Sequence, residues 1–161
     1  IKDMLYYFPR RYLDRTTLTP IKDLKKGDQV TLIAQVETLG ERRIRRGRMF
    51  QIIASDGTGL LTLNWFNGVL YVKNLFKVGD NLAISGKVEW YNGFSITHPE
   101  IEKLRDDEDP LKTGKVVPIY PLTQELRSVG LDQRGIRKIL GMIVSELNPI
   151  SETLVLIDLI Q

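Results

Sequence analysis

The stretch QVTLIAQVETLGERRIRRGRMFQIIASDGTGLLTLNWF, residues 29–66, decides the fold. Val30, Leu32, Ala34 and Val36 alternate with Thr31, Gln35 and Glu37, with Ile33 the exception, and a period of two marks a strand with one face in a core. Met49 to Ala54 reads as a second strand. Ser55-Asp56-Gly57-Thr58-Gly59 closes it with a tight turn, because Asp-Gly reaches positive φ at little steric cost. A third strand runs from Leu60 to Phe66. Between the first two strands lie Arg42, Arg43, Arg45, Arg46 and Arg48, five arginines within seven residues.

Downstream, Val69, Val72, Leu75 and Phe76 fall at helical spacing within residues 68–78, and Gly79-Asp80 turns the chain into a fourth strand. Leu82, Ile84, Gly86, Val88 and Trp90 are expected on its inner face. Asn92-Gly93 makes a hairpin turn, and Phe94 to Thr97 completes a fifth strand. Three strands, a short helix and a two-stranded hairpin is the β-β-β-α-β-β order of a five-stranded oligonucleotide-binding (OB) barrel. Such barrels meet ligands on the face of strands two and three and on the loops joining strands one to two and four to five. Here the first of those loops holds the arginines and the second holds Tyr91, Asn92, Gly93 and Phe94.

Around this barrel, residues 29–99, the organisation is mainly connective. Residues 1–28 contain an apolar-aromatic start, Ile1 to Tyr7, without an initiating methionine, from which a piece of a longer polypeptide is expected. Phe8-Pro9-Arg10-Arg11-Tyr12 follows as a basic, aromatic strip, since proline ends any helix there. Residues 100–161 begin with six acids between Glu100 and Asp109 against Lys103 and Arg105, which read as a solvated connector. Val116 to Pro121 is expected to be extended. Ile136, Ile139, Leu140, Ile143, Val144 and Leu147 mark an amphipathic helix capped by Asp132 and stopped at Asn148-Pro149. Ser151 and Glu152 are placed to start another.

The absences exclude several chemistries. Without a cysteine there is no disulfide framework, thiolate zinc site or cysteine nucleophile, and the lone His98 cannot build a metal site. Gly86-Lys87-Val88 and Gly114-Lys115-Val116 lack the hydroxyl residue and glycine spacing of a phosphate loop. No glycine-flanked nucleophile elbow accompanies the histidine. No run of eighteen apolar residues and no signal-peptide order is present, so a soluble, intracellular protein is expected. Catalytic residues, cofactors and metal ligands are expected to be absent from this chain.

Charge distribution points to an anionic partner. The formal net charge is +3, but residues 100–109 contribute −4, so the remainder carries +7. Arginine forks match phosphate oxygens in two places at once, and repulsion at the density of Arg42–Arg48 is relieved by an anion. The competing reading is that exposed turns are often charged and that arginines discourage edge aggregation. Arg10, Arg11 and Arg15 either touch phosphate or pair with nearby acids. Strand parity sorts the aromatics: with Leu61 and Leu63 inward, Trp65 packs and Phe66 is exposed. Trp90 is placed inside by the same rule and Tyr91 outside, where it either stacks on bases or meets a flanking helix. Tyr71 either caps the barrel or lines the same surface as Phe66. His98, beside Pro99, is read as a hydrogen-bonded structural residue.

Four segments together resemble one family. Phe8-Pro9-Arg10-Arg11-Tyr12-Leu13-Asp14-Arg15-Thr16, Trp65-Phe66-Asn67, His98-Pro99-Glu100 and Pro118-Ile119-Tyr120-Pro121-Leu122-Thr123 occur in the order found in the wedge region of the ATP-dependent DNA helicase RecG, and the match covers nearly the whole chain. The resemblance implies a module ahead of a two-lobed helicase motor, engaging branched DNA such as stalled forks and four-way junctions. ATP and magnesium would belong to that motor, and a single-stranded DNA-binding protein is a further candidate partner. In the family an aromatic of the strand-three segment stacks at the fork junction, and the matching position is Phe66. A second family aromatic follows four residues on, where this chain has Leu70, with Tyr71 one place later. The segment from Gln124 to Gln133 is longer than usual in the family. Two other functions fit the barrel alone: a sequence-tolerant single-strand or RNA binder, and a protein-docking module.

Overall fold

The structure is a computed structural model and describes residues 6–121 and 123–146. It divides into two units, one made of residues 14–116 and the other of residues 1–13 with 117–161. The larger unit is built on β2 (Gln29–Ile44), β3 (Gly47–Ser55), β4 (Leu60–Trp65), α1 (Val69–Val72), β5 (Asn81–Lys87), β6 (Glu89–Trp90), β7 (Phe94–Thr97), β8 (Glu100–Leu104) and α2 (Pro110–Thr113). The smaller has β1 (Arg11–Leu13), β9 (Val117–Ile119), α3 (Gln124–Ser128) and α4 (Gln133–Glu146).

The seven strands of the larger unit hydrogen-bond in the order β6-β7-β4-β3-β2-β5-β8. All neighbours are antiparallel except β4 and β7, which run parallel with Leu63 opposite Ile96. Chain continuity from β5 through Val88 into β6 joins the two sides of the sheet, which is the OB arrangement: β2, β3 and β4 are its first three strands and β7 its fifth. Two departures from five strands have local causes. The expected fourth strand is broken at Val88, whose N–H donates to Asp28 O (2.8 Å) and whose carbonyl accepts from Gly27 N (2.7 Å). An added strand, β8, extends the sheet beyond β5.

β2 serves both halves of the barrel. Gln29 to Gln35 pair with β5, and Gln35 to Ile44 pair with β3, with a register shift between Val36 and Thr38. Such an irregularity bends a strand and strengthens its twist, which lets one strand belong to two differently oriented pairings. The core follows the expected parity. Val30, Leu32, Ala34, Val36, Phe50, Ile52, Ala54, Leu61, Leu63, Trp65, Leu82, Ile84, Val88 and Ile96 are all buried together. Each large apolar side chain so enclosed contributes about 1.5–3 kcal/mol. Ile33, the break in the alternation, is buried on the opposite face, directly beside Ala83.

Three sequence readings need correction. Residues 100–109 are not a solvated connector: Glu100–Leu104 is a sheet strand, and Glu102, Leu104, Glu108 and Asp109 are buried. Glu108 accepts from Arg105 N and Asp109 from Leu111 N, so two of the acids cap backbone turns. The helix after Phe66 is one turn, with Asn74 Nδ2 donating to Leu70 O at its end. Trp90 lies outside, 55% exposed, because the break at Val88 ends the inward run before it. In the smaller unit, β1 and β9 pair antiparallel with Tyr12 opposite Pro118, so the extended reading of Val116 to Pro121 holds. α4 begins as expected, with Asp132 Oδ1 accepting from Gly135 N at 2.7 Å. Leu147, Asn148-Pro149 and the helix start at Ser151 and Glu152 lie outside the described residues.

Candidate nucleic-acid interface

The arginine run is not a loop. Pairing between β2 and β3 continues through Glu41 opposite Phe50, Arg42 opposite Met49 and Arg43 opposite Arg48 to Ile44 opposite Gly47. Only Arg45 and Arg46 form the turn, so the five arginines decorate the end of a two-stranded arm. Neither turn residue has positive φ; Gly47 does, at +128°. A two-residue turn of ordinary hand fits the right-handed strand twist poorly, and a glycine just after it absorbs the difference.

Parity divides the arm's charges. Arg43 and Arg48 project on the same side as Phe50, whereas Arg42 and Met49 project on the other. Like charges directly opposite one another destabilise a ladder. Glu41 offsets this: its Oε1 accepts from Arg48 Nη1 at 2.9 Å, and its Oε2 lies 3.6 Å from Lys73 Nζ. Among the described residues, Arg42, Arg43, Arg45 and Arg46 form no ion pair. Four unpaired guanidinium groups at the end of an exposed arm favour an anion.

The arm's base is at the same end of the barrel as Phe66. Phe50, two residues from Arg48, is opposite Trp65, and Phe66 follows directly. Trp65 is enclosed between Phe50 and Phe76, with ring centroids 6.0 and 6.3 Å away, which anchors the strand end. Phe66 emerges from it 45% exposed. Leu70 and Tyr71 are exposed on α1, the helix whose C-terminal Lys73 reaches Glu41. The structure therefore groups the arm, Phe66, Leu70 and Tyr71.

It does not bring Tyr91 to that group. The β6–β7 hairpin is closed by Trp90 opposite Phe94, and the next residue, Ser95, is level with Thr62 of β4. Tyr91 thus stands at the far end of β4 from Phe66, on the order of 15 Å along the strand. Trp90 was missed as a surface aromatic; its ring meets Phe94 edge-on at 4.8 Å. Arg10 and Arg11 belong to the other unit, Arg10 exposed and Arg11 half-buried in β1. Glu41 and Lys73 were also missed. Glu41 is the one acid beside the arginine run, which was the available signal; nothing in the sequence singles out Lys73.

Between the two ends, the outer face of β3 and β4 presents Met49, Gln51, Ile53, Leu60, Thr62 and Asn64. It carries no aromatic and no charge, and Gln51 Nε2 donates to Asn64 Oδ1 at 2.9 Å. Stacking groups are confined to the ends. Among the described residues no three of His, Cys, Asp and Glu are grouped to hold a metal ion, and no helix is long and apolar enough to cross a membrane.

Residues 1–147 match the family described as the RecG wedge domain. The chain is 31% identical over 140 residues to the ATP-dependent DNA helicase RecG of Pasteurella multocida, covering 86% of this chain and 19% of that protein. It is 31% identical over 144 residues to RecG of Escherichia coli K12, with the same two coverages. It therefore spans less than a fifth of the length of these relatives. A solved structure of RecG bound to a three-way DNA junction matches 87% of this chain and 18% of that one, with a TM-score of 0.50 and 26% identity. With the OB strand order and the exposed aromatic after β4 already in place, these likenesses settle the family: the chain belongs to the RecG wedge domains.

Proposed function

We propose that this chain is the branched-DNA-binding wedge of a RecG-type ATP-dependent helicase. Arg42, Arg43, Arg45, Arg46 and Arg48 hold backbone phosphates, and Phe66 stacks on the duplex end at the branch, with Tyr71 beside it. The observation that carries this reading is the meeting of an arginine arm and an exposed phenylalanine at one end of a barrel whose flat face has no stacking group. A single-strand binder of the OB type lays successive bases on aromatics of that face, which Gln51, Thr62 and Asn64 do not provide. A group that only caps a duplex end needs one ring and nearby phosphate ligands.

In this reading the chain performs no chemistry. The residues present do not fit ATP and magnesium, since neither Gly86-Lys87-Val88 nor Gly114-Lys115-Val116 makes a phosphate cradle. Motor domains of the same polypeptide would bind both and supply the force. The complete helicase acts on stalled forks and Holliday junctions in the bacterial cytoplasm, regressing forks and migrating branches during repair and recombination. A single-stranded DNA-binding protein is a further candidate partner. The names of the relatives support the link to a helicase, and the junction in the matched RecG structure supports binding to branched DNA. The test compares forked, linear and single-stranded DNA of equal length by fluorescence anisotropy: preference for the fork is expected, and equal affinity for all three would overturn the proposal.

A further inference from the structure

We propose that Glu41 is the internal counter-anion of the arginine arm, and that an incoming DNA phosphate takes Arg48 and Lys73 from it. This rests on the phosphate-binding reading above and adds Lys73 to the site. Each Glu41 carboxylate oxygen faces one cation, Arg48 at 2.9 Å and Lys73 at 3.6 Å. A phosphate diester offers the same pattern, two anionic oxygens on one centre. The Glu41 side chain is 27% exposed, whereas those of Arg48 and Lys73 are 52% and 36% exposed. Both cations are therefore open to a ligand approaching from solvent, and exposed pairs of this kind contribute little that an exchange would lose.

The position of the carboxylate gives the exchange its consequence. Glu41 lies on the side of the arm that carries Arg43 and Arg48, and it ties that side to the end of the helix bearing Leu70 and Tyr71. A phosphate bound there is placed between the arm and the helix that bears Leu70 and Tyr71, so the backbone of a strand entering the branch is held at the end of the barrel from which Phe66 emerges. Until DNA arrives, Glu41 offsets the repulsion between Arg43 and Arg48 and keeps Arg48 and Lys73 in position. The arm is thus kept ordered at the expense of one negative charge within the binding site.

The experiment measures forked-DNA affinity of the full chain across a salt series. Glu41→Gln keeps the side-chain shape and removes the charge, and binding is expected to tighten about two- to fivefold at low salt, the gain shrinking as salt rises. Lys73→Met, which leaves the arm's ladder intact, is expected to weaken binding by a similar factor. In an Arg48→Met, Lys73→Met background the Glu41→Gln gain is expected to disappear. Unchanged or weaker binding by Glu41→Gln with an unchanged melting temperature overturns the proposal, as does unchanged binding by Lys73→Met. If Arg45→Ala, Arg46→Ala binds DNA as well as the parent, the underlying phosphate reading fails. If it binds poorly while Glu41→Gln and Lys73→Met are both silent, only the counter-anion role of Glu41 fails.

Discussion

The backbone N–H of Phe66 donates to Nε2 of His98 at 3.4 Å, and the two rings lie 6.1 Å apart at 59°. His98 is itself held, with its N–H donating to Asn64 O at 2.8 Å and its φ in the left-handed region at +48°. The exposed phenylalanine therefore stands on a fixed neighbour. Phe66→Ala is expected to weaken fork binding about 5- to 150-fold, the loss of one stacked base at about 1–3 kcal/mol, while binding to unbranched duplex stays the same. Because the ring is half-exposed, melting should hardly move. His98→Ala should lose part of the same affinity by freeing the ring. A Phe66→Ala variant that still prefers forks would exclude stacking at the branch.

The arm's shape depends on Gly47 as much as its charge depends on the arginines. At φ +128°, with open space where a Cβ would stand, Gly47 allows substitution sterically but not conformationally. Gly47→Ala is expected to cost about 1 kcal/mol in backbone strain, expressed as a splayed turn. DNA affinity should fall while the barrel's melting transition persists. Arg45→Ala, Arg46→Ala should instead lower the salt dependence, by about 0.9 in slope for each phosphate that is no longer neutralised. A salt slope equal to the parent's in the double variant would remove these two residues from the interface.

Residues whose fate is set by alternation were legible in the sequence. Trp65 inward and Phe66 outward follow from Leu61 and Leu63, and the Asp132 cap follows from side-chain chemistry next to a helical period. Where pairing with a distant strand decides, reading along the chain misleads. Trp90 continues the parity of Ile84 and Val88 in sequence, but Val88 bonds across to Gly27 and Asp28 and ends that run. Glu102 reads as solvated among six acids, yet β8 docks on β5 and places it beside Ala83. For the candidate interface, five arginines in seven residues raise the expectation of an anionic partner, but the arm, the Glu41 link to Lys73 and the remoteness of Tyr91 are consequences of register that no local pattern contains.

Asp56 ties the segment before the barrel to the turn between β3 and β4. Its Oδ2 accepts from Ile21 N at 2.8 Å, and its Oδ1 accepts from the N–H and hydroxyl of Thr58 and from Gly59 N. Burial pushes its carboxyl pKa up, but the hydrogen bonds from Thr58, Ile21 and Gly59 outweigh it and leave the value below the ordinary 3.8. A depressed folded pKa means the ionised form stabilises the fold. That contribution is complete above about pH 4 and fades as pH falls through the lower folded value. Asp56→Asn should therefore melt below the parent at pH 7, by the equivalent of about 1 kcal/mol. The gap should narrow under acid conditions. A gap that stays constant down to pH 2 would show that the charge is not the source.

In the smaller unit, Gln133 replaces a strand partner. Its Oε1 accepts from Tyr120 N at 2.9 Å and its Nε2 donates to Tyr120 O at 2.6 Å, so one buried side-chain amide satisfies both backbone groups of a residue just past β9. Tyr120 in turn stacks on Tyr7 at 6.0 Å and 11°, and Arg137, one turn along α4, donates to Pro118 O at 2.9 Å. Gln133→Met keeps the volume and removes both bonds, leaving an N–H and a carbonyl without partners at a cost of about 1–3 kcal/mol. Gln133→Glu keeps the acceptor for Tyr120 N, loses the donor to Tyr120 O and adds a charge at a buried position. It should be at least as damaging at neutral pH and recover towards the parent in acid, where a protonated carboxyl again offers a donor. Thermal melts of both variants at pH 7 and pH 4 decide the matter. A Met variant that melts with the parent would mean that packing, not the paired hydrogen bonds, holds α4 against this strand.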